Sequence, residues 1–210
     1  MESSKKQTTV IVIHGWGGHH LFMLPICWQL KRAGFQVKRF GYRSFLWSIE
    51  THAKRFEKFL RSIEDDPTIE RFHIAAHSMG GIITRKAILD MTTAGQQPKK
   101  LDRIAMLGTP NHGSPVARYL SSKFPFRFCK TLQQLSDEDD GFIPNLAEPS
   151  DDLNIGIVAA SYDFVVPERN SHLTQESDHI EIFSGHNGLL VRPAAGKRVV
   201  EFLADGRFKR

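Results

Sequence analysis

The stretch Ile74-Ala75-Ala76-His77-Ser78-Met79-Gly80-Gly81 decides the fold: an apolar strand runs into a helix through a small-x-Ser-x-Gly turn. Such a turn is tight, and small residues on both sides of the serine let strand and helix approach while the side chain is pushed out above the sheet. Ser78 is therefore the candidate nucleophile. The first small position, usually glycine, is Ala76 here, a departure of one methyl group. Taken alone, a serine in this setting also reads as an ordinary helix N-cap.

Outward from this turn, short apolar runs alternate with longer amphipathic stretches, the βαβα order of a mostly parallel sheet covered by helices on both faces. Strands are expected at Thr9–His14, Phe35–Phe40, Arg71–Ala76, Asp102–Leu107, Leu153–Ala159 and His179–Phe183. Most are β-branched or aromatic, as doubly covered strands should be. Ile49, Ala53, Phe56, Leu60 and Ile63 recur at helical spacing, with Glu50, Lys54, Arg55, Glu57 and Lys58 on the opposite side. Further helices are expected near Pro25–Arg32, stopping before Gly34, and from Pro193 to about Leu203.

The chain has 210 residues, 40% hydrophobic and 24% charged, which fits one globular domain over 1–210 and excludes disordered or collagen-like classes. The run Val10–Ile13 is far short of the roughly 20 apolar residues of a membrane span. The polar lead Met1–Gln7 shows no signal-peptide pattern, so cytosol is the default expectation. Two cysteines, Cys27 and Cys129, lack metal or redox spacing and are expected to be reduced thiols. A net charge of +5 is spread along the chain apart from the Phe208-Lys209-Arg210 end, too diffuse to argue nucleic-acid binding.

The least regular region is Pro115–Asp152, opened by the N-cap pair Ser114-Pro115 and carrying Phe124, Phe126 and Phe128 among Lys123, Arg127 and Lys130. It reads either as a cap or lid over a binding site or as an ordinary helix and loop with its aromatics in the core.

The first expected strand ends in His14-Gly15-Trp16-Gly17-Gly18, a glycine-rich turn at the same carboxyl edge of the sheet as Ser78. If the two turns are neighbours, the backbone amides of Trp16 and of Met79 can form an oxyanion hole. His14 and His77 read as packed or loop-fixing residues. A serine hydroxyl needs a base and an orienting acid, and on such a sheet both follow the nucleophile, on loops after strands. Asp163 stands immediately past the fifth expected strand and His186 just past the sixth. Of the 10 histidines, seven precede Asp163, His172 lies in a polar loop ahead of a strand, and His179 begins one, at the wrong edge. Asp163 and His186 are thus the candidate acid and base.

With these turns in register, the chain resembles the α/β-hydrolase superfamily, in particular small bacterial lipases and esterases with an Ala-His-Ser-Met-Gly-Gly elbow and the lipase-like inositol-deacylase group. The likeness runs from about Thr9 to Leu203 and includes Gly108-Thr109-Pro110-Asn111-His112-Gly113-Ser114, which such lipases carry after the strand following the elbow helix. It implies a minimal α/β-hydrolase fold of about six mostly parallel strands, without the N-terminal hairpin of the full fold. It also implies a catalytic Ser78, Asp163 and His186, an oxyanion hole at Trp16 and Met79, and no cofactor or metal.

The expected activity is hydrolysis of carboxylic esters, of small molecules or lipids, through an acyl-enzyme. The same triad serves acyl transfer, thioesters and amides, and a non-catalytic binding module on this fold is the remaining alternative. His112 and Phe164 are candidate substrate contacts, and Trp16, Phe22, Trp47, Phe164 and the Phe124–Phe128 group are candidates for an apolar acyl pocket. Contact with an anionic membrane surface through Lys123–Lys130 is a further expectation.

Overall fold

A computed structural model describes residues 7–209; Met1–Lys6 and Arg210, which belong to the polar lead and the basic C-terminal cluster, lie outside the described residues. Six strands, β1 (Gln7–Ile13), β2 (Gln36–Phe40), β3 (Ile69–His77), β4 (Leu101–Leu107), β5 (Asn154–Ala160) and β6 (Asp178–Ile182), form one sheet in the order β2-β1-β3-β4-β5-β6. Every pairing is parallel. The helices are α1 (Leu24–Arg32), α2 (Ile49–Glu64), α3 (Met79–Thr93), α4 (Pro115–Ser121), α5 (Lys130–Gln134), α6 (Gly188–Val191) and α7 (Pro193–Asp205).

Side chains of a strand alternate between faces, and β1 shows the result. Ile11 and Ile13 pack with Ala53, Phe56 and Leu60 of α2 and Ile82 and Ile83 of α3, whereas Val10 and Val12 pack with Ile26 and Leu30 of α1 and Val199, Phe202 and Leu203 of α7. Both faces are covered, which is why the strands read as apolar runs rather than as alternations. The chain is an α/β protein with the layers of a minimal α/β-hydrolase fold.

The expected strands differ from the observed ones by a residue or two at their ends, most at β1, which starts at Gln7 rather than Thr9, and at β3, which starts at Ile69 rather than Arg71. Glu70 and Arg71 are exposed at the rim of the sheet, so their polarity masks strand residues that still pair. Ser48 caps α2 by accepting from Thr51 N, and Ser114 caps α4 by accepting from Ala117 N. The sheet edges carry charge, Lys38 and Arg39 on β2 and Asp178 and Glu181 on β6, which disfavours edge pairing with another chain. Among the described residues no helix is long and apolar enough to cross a membrane.

Topology fixes where a site can form. From β1 the chain crosses to β2 on one side and then returns to β3 on the other, and the crevice beyond the carboxyl ends of β1 and β3 lies at this switch point.

Candidate active site

Ser78 stands between β3 and α3 with φ 53° and ψ −127°, a conformation that costs a non-glycine residue about 1–3 kcal/mol. The neighbouring residues explain how it is enforced. A Cβ on Gly80 would come within 2.7 Å of the His14 carbonyl oxygen, and one on Gly81 would overlap the Thr109 side chain at 2.1 Å. Only hydrogen at these two positions lets α3 start this close to β1 and to the segment after β4. Ala76 pairs with Ile13 and Met106 and is fully buried, so its methyl group is accommodated in the core.

The first turn and the elbow are in contact: a Cβ on Gly15 would lie 2.7 Å from Ser78 Cβ. His14 is fixed there by its ring, with Nδ1 2.9 Å from Gly15 O and a stacking contact of 4.3 Å with Tyr42, whose hydroxyl donates to His14 O at 2.6 Å. The Met79 amide heads α3 and is one of the N–H groups a helix leaves unpaired. Among the described residues, neither it nor the Trp16 amide enters a turn or loop hydrogen bond.

Asp163, His186 and Ser78 meet in a chain of hydrogen bonds. His186 Nδ1 lies 2.7 Å from Asp163 Oδ2, and His186 Nε2 lies 2.9 Å from Ser78 Oγ. The Asp163 carboxylate is buried and held by its second oxygen, Oδ1, which accepts from Val165 N at 2.9 Å and Val166 N at 2.8 Å. With the carboxylate fixed, Nδ1 of His186 carries the proton and Nε2 presents its lone pair to the serine. His77 backs His186 from behind. Its Nε2 lies 3.3 Å from His186 O, and burial, with the nearby His186, drives its pKa down to about 3, so the ring stays neutral.

A cleft of about 820 Å³ opens above Ser78 and His186. One wall is the loop after β1, with Trp16, Leu21 and Phe22, and the other is α4 and α5, with Val116, Leu120, Leu132 and Leu135. Trp16 and Phe22 are where an apolar pocket was expected. The other aromatics are not: Phe124 and Phe128 are exposed, Trp47 sits under the Arg55 guanidinium at 3.8 Å, and none of the three lines the cleft. Phe124 and Phe128 are not in the core either, whereas Phe126 turns its ring to Trp16, edge to face at 6.2 Å.

His112 and Phe164, the expected substrate contacts, stand outside the lining of the cleft. Phe164 follows the buried Asp163 in the turn after β5 with its ring in solvent at 82% exposure, and His112 is also exposed. The segment Thr109–Ser114 instead acts as a brace. Asn111 Nδ2 donates to Ser171 O at 2.6 Å, and Arg85 of α3 donates to both Asn111 O and Asn111 Oδ1. Ser114 Oγ donates to Val165 O at 2.5 Å, and Asn170 Nδ2 to Gly113 O at 2.9 Å. These bonds tie the loop bearing Asp163 to the elbow helix. Arg85 and Asn170 gave no signal in the sequence, since a charged residue on an amphipathic helix and a polar loop residue look like surface.

A family model described as "Alpha/beta hydrolase of unknown function (DUF900)" matches residues 1–120. No curated protein matches the chain. Among solved structures, the mature lipase BlEst2 of Bacillus licheniformis superposes with a TM-score of 0.71 at 14% identity, over 95% of this chain and 92% of that one. Aspergillus fumigatus lipase B gives 0.74 at 16% identity over 96% of this chain, which spans only 53% of that lipase. The RedJ thioesterase of the prodiginine pathway in Streptomyces coelicolor gives 0.62 at 12% identity, over 95% of this chain and 85% of that one. At such identities the likeness is one of fold. The family match, the six-stranded parallel sheet and the elbow at its switch point agree, and the chain belongs to the α/β-hydrolase family of unknown function DUF900.

Proposed function

We propose that this protein is a serine hydrolase that cleaves carboxylic esters bearing an apolar acyl group. The observation that carries the reading is the bonded series Asp163–His186–Ser78, with the serine on a strained elbow at the floor of an apolar cleft. In this reading His186 Nε2 takes the Ser78 proton as Oγ attacks the ester carbonyl, and Asp163 stabilises the imidazolium that forms. The amides of Trp16 and Met79 donate to the tetrahedral oxyanion. His186 then protonates the leaving alcohol, and a water activated by the same nitrogen releases the acid from the acyl-enzyme.

Leu21, Phe22, Leu24 and Val191 both line the cleft and are exposed at its mouth, which favours an apolar substrate and, with it, a lipid ester. Burial of each additional CH₂ is worth about 0.8 kcal/mol, so kcat/KM is expected to rise by up to roughly fourfold per methylene until the cleft is filled.

The test is reaction of the purified protein with a fluorophosphonate probe, with the adduct mapped by mass. Ser78 should label, His186→Ala should not, and labelling should be faster than in heat-denatured protein. A folded protein that stays unlabelled in the presence of detergent would overturn the reading. Hydrolysis products formed with and without added alcohols or thiols separate ester hydrolysis from acyl transfer.

A further inference from the structure

Away from the cleft, Glu168, His172 and His179 bring three potential ligand atoms within 4.8 Å of one another. Glu168 and His172 lie on the crossover after Asp163, and His179 is the second residue of β6. His172 Nε2 is 2.6 Å from Glu168 Oε1, His179 Nε2 is 3.7 Å from the same oxygen, and the two imidazoles stack at 4.2 Å. His179 Nε2 is sealed from solvent and has no hydrogen-bond partner, the carboxylate at 3.7 Å being out of reach. A buried ring nitrogen left in this state is costly unless something else satisfies it.

The surroundings of His172 supply the rest of a metal site. Glu176 Oε1 lies 2.8 Å from His172 Nδ1, while Glu176 Oε2 accepts from Leu173 N at 2.9 Å, so the carboxylate is itself anchored. In the metal-free chain His172 donates from Nδ1 to Glu176 and from Nε2 to Glu168; an ion that replaces the Nε2 proton would leave Nδ1–H on Glu176, the carboxylate–histidine–metal arrangement by which proteins orient imidazole ligands. Zinc takes nitrogen at about 2.0–2.1 Å and carboxylate oxygen at about 2.0–2.2 Å, which puts tetrahedral ligand atoms roughly 3.3 Å apart. The observed separations of 2.6 Å and 3.7 Å from Glu168 Oε1 bracket that value, and the two stacked rings would turn out of parallel to aim both nitrogens at one ion.

We propose that Glu168, His172 and His179 bind a divalent transition-metal ion of the zinc type, with Glu176 orienting His172 and water in the open position. Imidazole and carboxylate ligands suit this class of ion. The ion would clasp the crossover that carries Asp163 onto β6. The inference is independent of the ester-hydrolase reading.

The probe is Zn²⁺ alone, added to untagged full-length protein stripped with chelator. Metal content after desalting should be close to one equivalent, and the melting temperature should rise by about 5–10 °C at a hundredfold excess over the dissociation constant. Co²⁺ in its place should give the visible absorption of a tetrahedral site. His179→Gln and Glu168→Gln should each remove retention, thermal shift and absorption, whereas His186→Ala should keep all three. Absence of retained metal, or retention unchanged in both His179→Gln and Glu168→Gln, would overturn the proposal and leave these residues as an ion-paired network. Melting of each variant in chelator shows that it is folded.

Discussion

Gly15 and Ser78 are in such close contact that a single added methyl group on the first would come 2.7 Å from the Cβ of the second and 3.2 Å from the His77 carbonyl oxygen. The turn after β1 and the elbow after β3 thus form one unit, and their relative position depends on a missing side chain. Gly15→Ala should fold, with a loss of about 1–3 kcal/mol. It should lower kcat toward esters by around a hundredfold through displacement of the turn from Ser78. Ester hydrolysis and urea unfolding of the same preparation check this, and wild-type turnover would exclude the contact as a determinant of activity.

The backbone strain at Ser78 separates stability from activity. Its φ of 53° is easily adopted by glycine but not by alanine, and both variants lose the hydroxyl. Ser78→Gly is therefore expected to be more stable than Ser78→Ala by about 1 kcal/mol, or roughly 2–4 °C in melting temperature, with both inactive. Equal melting temperatures would mean that the elbow is not strained.

Asp163→Asn tests the role of the acid without removing its volume. The amide oxygen can keep the bonds from Val165 N and Val166 N, which leaves an NH₂ group facing His186 Nδ1. The imidazole must then accept at Nδ1 and carry its proton on Nε2, where it can no longer serve as a base. A fall in kcat on the order of 10³–10⁴ is expected, with KM little changed. A loss of less than tenfold, measured on a short soluble ester, would remove Asp163 from the proposed triad.

Acid should destabilise the protein well above the carboxylate range. Burial holds His73 down to about 4 and His77 down to about 3, and also lowers His14 and His52. The unfolded chain, with histidines near 6.5, binds protons first, so stability is complete above about pH 6.5 and is lost as pH falls toward 4. Each such group contributes a slope approaching about 1.4 kcal/mol per pH unit. His172 acts in the opposite sense: burial lowers its pKa, but hydrogen bonds to Glu176 and Glu168 raise it further, so its contribution is present at low pH and lost as pH rises. That group is half-exposed and is outweighed by the buried histidines. Urea unfolding at pH 7.5, 6 and 5 should show a declining midpoint, and a constant one would contradict neutral burial.

Phe124 and Phe128 are 80% and 69% exposed among the exposed Lys123, Arg127 and Lys130. Sedimentation with anionic vesicles should carry the protein down at low salt and release it at high salt. The double variant Phe124→Ser, Phe128→Ser should stay in the supernatant. Salt-insensitive absence of the wild type from the pellet would end the membrane-contact reading.

The strands, the helix faces and the positions of Ser78, Asp163 and His186 are legible in the sequence because each depends on local order. Doubly covered strands are apolar runs, and each of these three residues stands in the turn that follows such a run. The orientation of His112 and Phe164 is not legible for the complementary reason: both stand beside residues that matter, yet which way a loop side chain points is set by what the loop packs against. The side chains of Asn111 and Ser114, rather than that of His112, bond across from their segment, and their partners Arg85, Ser171 and Val165 are 26 to 60 residues away. Local periodicity by itself determined this α/β architecture and the order of its candidate groups. Only the tertiary structure decided the 2.7 Å and 2.9 Å contacts that join those groups, the apolar cleft between the β1 loop and α4, and the meeting of His172 with His179, because each is a contact between segments that the chain order leaves apart.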